Sequence, residues 1–412
     1  MTRPMPTRRA TLLGAATLPL AAGLAAPRAR AAGKTIRIGV LNDMSGPYRD
    51  TTGQLSVACT RLAVAEFAAS KGLTVDVLSA DHQNKPDVGA GIARQWFDRD
   101  DVDMIMDVPT SSVALAVNSV CREKNKVFIN SGAATTALTG KQCSPNTIHY
   151  TYDTWMLARS TGGNTVKSGG DTWYFVTADY VFGHELEEIT ARFVTEAKGK
   201  VLGHAIYPFP GTTDFSSFLL AAQAAGAKVL GLANAGTDTV NCVKQAHEFG
   251  LAPAMRVAAL LMTIPDVHAL GLATARGLLL TESFYWNLND RTRAFTARAK
   301  PALGGRMANM IQAGCYAGTL HYLKAVADIG ADAAKADGAA VVARMKAMPT
   351  DDDVFGPGKI RADGQLLVPS YLFEVKTPEQ SKGEWDYYNL LATTAPGEAW
   401  QPVDPGCPLV KA

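Results

Sequence analysis

The sequence predicts an α/β protein built as two doubly wound parallel-sheet lobes. Short apolar runs alternate with amphipathic stretches of helical length, the pattern of parallel βαβ units. The alternation breaks near Tyr150–Asp153 and then restarts on the same plan, without sequence repetition. A chain of 412 residues with 47% hydrophobic content is also too long for one ordinary core.

Lys34–Leu41 is an apolar strand, followed by the polar turn Asn42–Tyr48 and an amphipathic helix over Gln54–Lys71. Thr74–Ala80 reads as a strand. Pro86–Asp100 reads as a helix with its proline near the start, where the missing N–H is harmless. Two buried strands, Met104–Asp107 and Val127–Asn130, flank a helix over Val113–Lys124. Small polar loops follow both strands, Val108–Ser112 and Ser131–Thr136. Open α/β sheets bind ligands at the carboxyl ends of their strands. Hydroxyls, backbone N–H groups and a helix N-terminus suit a carboxylate. Neither loop carries a strong base, a partnered nucleophile or a metal-ligand cluster, so this is a place to hold a molecule rather than to transform it. The competing reading of the same residues is ordinary N-caps and turns.

After the break the spacing predicts a helix over Trp155–Lys167, a strand over Thr172–Thr177, a turn at Asp179–Gly183 and a helix over Glu185–Ala197. Strand Val201–Tyr207, helix Phe215–Ala225 and strand Val229–Ala233 come next. The loop Asn234–Thr239 leads into a helix ending at Phe249, and strands Val257–Leu261 and Gly277–Thr281 complete the second sheet. The aromatic-rich segment Ser283–Asp290 reads as a second crossover. Helices over Thr292–Leu303, Met310–Asp328 and Ala334–Met348 follow, then strands over Leu366–Val375 and Asp386–Leu391. The expected organisation is a signal peptide at 1–31, a first lobe of 34–152 plus 286–365, a second lobe of 153–285 plus 366–395, and a tail of 396–412.

Arg8-Arg9, the apolar run Leu12–Ala26 and the small-residue site Ala29-Arg-Ala31 make a secretory signal, and Thr7–Leu13 resembles the twin-arginine export motif. The apolar run is too short to span a bilayer. Residues 1–31 hold five Arg and no acid, so cleavage takes the formal net charge from +2 to +2 − 5 = −3. That balance argues against nucleic acid as a partner. None of the six cysteines forms a C-x-x-C pair. In an oxidising compartment disulfides are expected, with Cys121–Cys143 the preferred pair and the others open among 15 connectivities. His184, His204, His247 and His268 share no metal-binding spacing, Asp351–Asp353 lacks a calcium-loop pattern and reads as solvated charge, and there is no nucleophile elbow. No cofactor, metal or catalytic group is expected.

Arg37–Pro47 (RIGVLNDMSGP) resembles the opening strand and loop of type I periplasmic solute-binding proteins, the leucine/isoleucine/valine-binding group that serves ABC importers. Ser131–Thr139 (SGAATTALT) is similar to that family's S-P-A-A-T ligand loop. Asp179–Glu185 (DYVFGHE) resembles its D-x-x-Y/F-G turn, and Asn234–Thr239 with Val243–Ala246 sits where the second-lobe ligand loop lies. The resemblance implies two lobes joined by three crossovers and closing on a ligand. It implies that Ser131, Gly132, Ala133, Ala134 and Thr135 hold a carboxylate, with Thr110, Ser111 and Ser112 as the other first-lobe clamp. Phe182 falls where amino-acid binders often have Tyr. Asn234, Gly236, Thr237 and Asp238 replace an aromatic-rich loop, and the acid that meets an ammonium has no counterpart at Leu260 and Leu261. For Asp238 an exposed helix cap is the expected role. Tyr48, Tyr152 and Trp286, on loops beside the cleft, are further ligand candidates, whereas Trp155 reads as core.

The expected function is therefore the substrate-binding component of an ABC transporter, a monomer in the periplasm. It would capture a small carboxylate-bearing solute (a branched-chain or aromatic amino acid, or an aromatic or aliphatic acid) and deliver it to an inner-membrane permease. The rival from another class is a sensor presenting the solute to a membrane receptor; adjoining permease and ATPase genes would favour transport, a kinase gene sensing.

Overall fold

A computed structural model describes residues 35–251 and 255–410 of the chain. The expected signal peptide lies outside the described residues. Five strands, β1 (Ile36–Asn42), β2 (Val75–Asp81), β3 (Met104–Asp107), β4 (Val127–Asn130) and β5 (Thr147–His149), form a parallel sheet in the order β2-β1-β3-β4-β5. Strands β3 and β4 are buried along their whole length and apolar up to their closing Asp107 and Asn130, as in a sheet covered on both faces. Helices Gly53–Phe67 and Met310–Ile329 pack together on one face, and Pro86–Asp98 and Ser111–Lys124 cover the other.

The second sheet repeats this winding. Strands β6 (Thr172–Ala178), β7 (Lys200–Tyr207), β8 (Val229–Ala233), β9 (Arg256–Ala259) and β10 (Leu279–Glu282) run parallel in the order β7-β6-β8-β9-β10. A small antiparallel sheet of β11 (Thr350–Asp352), β12 (Gly356–Ile360) and β13 (Leu366–Leu367) stands beside β5, reached through a bridge between His149 and Gln365. Strands β14 (Ser370–Val375) and β15 (Tyr388–Thr394) then add antiparallel to the edge of the second sheet at β10. The chain passes between the lobes three times: after β5, after β10 and between β13 and β14. In each sheet the winding reverses direction beside the first strand, between β1 and β3 and between β6 and β8. Loops at such switch points diverge and leave a crevice.

Some elements escape a reading by pattern. Strand β5 is only three residues long, and β11–β13 carry too little alternation to register. The charge run Asp351–Asp353 is not simply solvated. Asp352 is buried and accepts the N–H groups of Val354 and Phe355, while Arg291 bridges Asp351 and Asp353.

The cysteine expectation is corrected. The disulfide joins Cys143 to Cys407, with Cα atoms 5.6 Å apart. Cys121 is a free, buried thiol packed with Val117 and Val120 beneath the Ser111–Lys124 helix. Cys143 sits instead in the loop after β4, against which the C-terminal segment folds back. Gln401 donates to Thr136 O and Thr139 Oγ1, Arg361 donates to Gln401 O, and the Trp400 indole donates to Val368 O.

Glu282, at the end of β10, is fully buried and accepts the Met310 N–H (3.2 Å) and the Tyr388 hydroxyl (3.0 Å). Burial pushes its carboxyl up to about 8, with these two donors offsetting part of the effect. A carboxyl raised in the folded state contributes stability that is complete at low pH and is lost as pH rises from the ordinary Glu range through 8. Glu282→Gln is therefore expected to gain stability relative to wild type between pH 5 and pH 8.5, by more than about 1 kcal/mol in paired urea melts. A constant difference across that range would show that Glu282 stays ionised in the fold.

Candidate functional site

The switch-point loops of both sheets meet around one cavity. The first lobe contributes Tyr48, Thr51 and Thr52 after β1, Pro109 after β3, Gly132 and Ala134 after β4, Tyr152 at the crossover, and Ile311. The second contributes Tyr180 and Phe182 after β6, Ala235 and Gly236 after β8, and Leu261, Thr263 and Asp266 after β9. The wall is mostly apolar and, among the described residues, contains no Lys, Arg or His.

Buried side chains shape the loops that reach this cavity. Asp43 accepts the N–H groups of Ser45, Gly46 and Tyr48, and its second oxygen also takes the Asn84 amide. These bonds curl Asn42–Tyr48 so that Tyr48 crosses to the other lobe. Its hydroxyl lies 2.5 Å from that of Tyr180. Tyr180 in turn stacks on Phe209 with ring centroids 4.3 Å apart. The lobes also meet where the Thr237 N–H donates to Pro47 O (3.0 Å) and where Asn309 Nδ2 donates to Thr263 Oγ1 (3.4 Å). Glu185 accepts from the hydroxyls of Thr135, Thr136 and Thr154, each at 2.6 Å, and from the Thr136 N–H. The structure is a closed form.

Of the residues singled out from sequence, Tyr48, Gly132, Ala134, Tyr152, Phe182 and Gly236 line the cavity. The expected clamp hydroxyls are engaged elsewhere. Thr110 donates to Asn84, Ser131 to Ile311 O (2.7 Å), and Thr135 to Glu185. Ala133 is buried with its N–H on Asn130 Oδ1. Ser111 keeps a buried hydroxyl without a partner among the described residues, and Ser112 is half-buried; their N–H groups open the helix. What the first-lobe loops offer the cavity is thus backbone: the Gly132–Ala134 turn and the helix N-terminus behind Pro109.

The other second-lobe candidates stand behind the wall. Asn234 accepts from Thr239 and is buried. Thr237 faces a separate, wider groove with Arg49, Lys244 and Trp385. Asp238 is not the exposed cap expected; it is buried, accepts the Tyr207 hydroxyl at 2.8 Å, and is pushed up to about 6 by burial. Trp286 donates to Trp385 O and lines a shallow surface groove with Lys376 and Lys382.

Asp266 is an acid on the cavity wall that lies beyond the apolar Leu260 and Leu261. It occupies the third position of the short Ile264–Leu270 helix, where its Oδ2 accepts the N–H and hydroxyl of Thr263. Burial raises it to about 6 against those two donors. Its signal was the Thr263-x-x-Asp266 capping box before an apolar run. Tyr180 was missed beside Phe182 because the helix starts at Val181, which turns both aromatics inward. Among the described residues, no group of three or more His, Cys, Asp or Glu is placed to hold a metal.

Residues 35–384 match the family model of the periplasmic binding protein. The chain belongs to that family. A periplasmic binding protein of Burkholderia mallei is 46% identical, with a TM-score of 0.87 over 92% of this chain and 99% of that one. A Burkholderia xenovorans protein described as a branched chain amino acid ABC transporter periplasmic ligand-binding protein is 38% identical (TM-score 0.77; 89% and 97% covered). A solute binding protein of an R. palustris ABC transporter, solved with benzoate, shares the fold at 20% identity (TM-score 0.81; 91% and 100% covered). No curated protein matches significantly. This periplasmic binding protein is thus a solute-binding protein of the ABC-transporter type, not an enzyme, with mixed α/β lobes of the type I fold.

Proposed function

We propose that the protein is exported to the periplasm and captures a small monocarboxylate with a flat aromatic or branched aliphatic body. It then delivers that solute to a membrane permease. The observation that carries this reading is the cavity wall itself. Tyr48, Tyr152, Tyr180 and Phe182 offer faces for an apolar body, while the wall carries, among the described residues, no cationic side chain and leaves an anion to hydroxyls and to backbone N–H groups of the first-lobe loops. A ligand held by aromatic residues of both lobes stabilises the closed form, and the crossovers supply the hinge. The benzoate-bound R. palustris protein and the branched-chain-amino-acid relative fit the same outline. Asp266 is the one group on the wall suited to an ammonium, but one oxygen is committed to Thr263 and burial opposes its ionisation. That favours an acid without an amine.

The test is mass spectrometry of what denaturation releases from the mature protein, followed by a thermal-shift panel of benzoate, phenylacetate, leucine and phenylalanine. A ligand at about 100 times its Kd adds roughly 2.7 kcal/mol. Release of an amine-free acid, or a shift with benzoate or phenylacetate alone, is the expected result. Leucine or phenylalanine in that place would assign Asp266 to the ammonium, and stabilisation by neither class would refute the carboxylate reading.

A further inference from the structure

A carboxylic acid without a counter-charge lies beneath the first-lobe side of the cavity. Asp107, the last residue of β3, is fully buried. Its Oδ2 accepts the Asn42 amide at 3.0 Å, and its Oδ1 has no hydrogen-bond partner among the described residues. Ser56 and Cys59 face it from the Gly53–Phe67 helix, Cys315 from the Met310–Ile329 helix, and Tyr152 from the crossover. None of these groups is cationic, and burial keeps both thiols and the phenol protonated.

The backbone holds this acid in place at some expense of strain. Asp107 and Val108 have φ values of +83° and +60°, two consecutive non-glycine residues in the left-handed region, the second β-branched. The bend puts the carboxyl directly under the ligand-facing turn. A Cβ on Gly132 would lie 2.5 Å from Asp107 Oδ1 and 2.7 Å from Pro109 Cα, and both Gly132 and Pro109 line the cavity.

We propose that Asp107 is a specificity-determining positioning residue, which couples capture of a carboxylate solute to proton uptake and makes the preference for a carboxylate over its carboxamide fall as pH rises. The proposal rests on the carboxylate reading above. Burial alone pushes the Asp107 carboxyl up to about 7, partly offset by Ser56, Cys315 and Asn42. A solute carboxylate over the Gly132–Ala134 turn brings a second negative charge and pushes it higher. By linkage, acid affinity declines as pH climbs past 7, about tenfold for each unit of that further rise. A neutral amide adds no charge and leaves the equilibrium unmoved.

Titration calorimetry on the mature protein decides the matter, with benzoate and phenylacetate against benzamide and phenylacetamide at pH 6.0, 7.2 and 8.5. Each pH is run in two buffers of different ionisation enthalpy to count protons. The acids are expected to bind about tenfold more weakly at pH 8.5 than at 6.0, with net proton uptake near pH 7.5, while the amides stay flat. Asp107→Asn, a residue that tolerates left-handed φ, should abolish the slope and the uptake. Asp238→Asn and Glu282→Gln, which remove two raised carboxyls that do not line the cavity, should keep both. Absence of proton uptake in the wild type overturns the proposal even if the Asp107 variant fails to fold. Acids that bind with a flat profile overturn it and leave the carboxylate reading intact, whereas acids that bind at no pH overturn both.

Discussion

Gly236→Ala is expected to weaken solute binding by more than tenfold, a larger effect than it has on the stability of the unliganded protein. Gly236 joins β8 to the Thr237–Glu248 helix with φ +60° and ψ −136°, a conformation that disfavours any Cβ. A Cβ there would lie 2.3 Å from Pro47 O and 3.1 Å from a Tyr48 ring carbon, atoms of the opposite lobe. The adjoining Thr237 N–H bonds that same Pro47 carbonyl. The clash therefore exists when the lobes are closed and vanishes when they part, so it penalises the state that holds the ligand. Gly277→Ala provides the control. Its φ is +78°, but nothing lies within 4 Å of the added methyl. It bears only the local backbone strain, about 1–3 kcal/mol, and should leave affinity unchanged. Calorimetry of the two variants with the same solute, beside thermal melts without it, separates closure from strain. Equal affinity losses in both would mean that the Gly236–Pro47 contact is not part of the binding form.

Replacing both cysteines of the disulfide (Cys143→Ser with Cys407→Ser) is expected to lower stability by roughly 2–5 kcal/mol. The bridge closes a loop spanning 264 residues, close to the upper end of what a single crosslink constrains in an unfolded chain of this size. Without it the C-terminal segment retains the bonds of Trp400 to Val368 O, of Gln401 to the Thr136–Thr139 turn and of Arg361 to Gln401 O, and the Arg159–Glu398 ion pair. Urea melts of the double variant against wild type, with and without reductant, measure this directly. Reductant should bring wild type to the level of the variant and leave the variant unaffected. Coincident melts of all samples would mean that the tail holds without its covalent anchor. The loop it braces after β4 also carries Gly132 and Ala134, so solute affinity should drop modestly too.

The lobe plan was legible because it is written in local periodicity. Strands β3, β4 and β8 match their runs residue for residue, since a strand buried on both faces is apolar along nearly all of its length, with only the closing Asp107 and Asn130 polar in β3 and β4. That the carboxyl-end loops gather around a crevice is legible for the same reason, as a winding order follows from alternating elements. Of the fifteen wall residues, six are also candidates from the sequence: Tyr48, Gly132, Ala134, Tyr152, Phe182 and Gly236. What the chain's own order determines, then, is where the strands end and which loops gather there. Which atoms face the cavity is decided only by tertiary packing. Thr110, Ser131 and Thr135 are hydroxyls on the right loops, yet Asn84, Ile311 O and Glu185 claim them, and these partners lie 26, 180 and 50 residues away. The pairing of Cys143 with Cys407 rather than Cys121 is decided in the same way. A helix turns Cys121 inward, while a tail from the far end of the chain arrives beside Cys143. Hydrogen-bond and disulfide partners are set by proximity in the folded chain, and sequence separation carries almost none of that information.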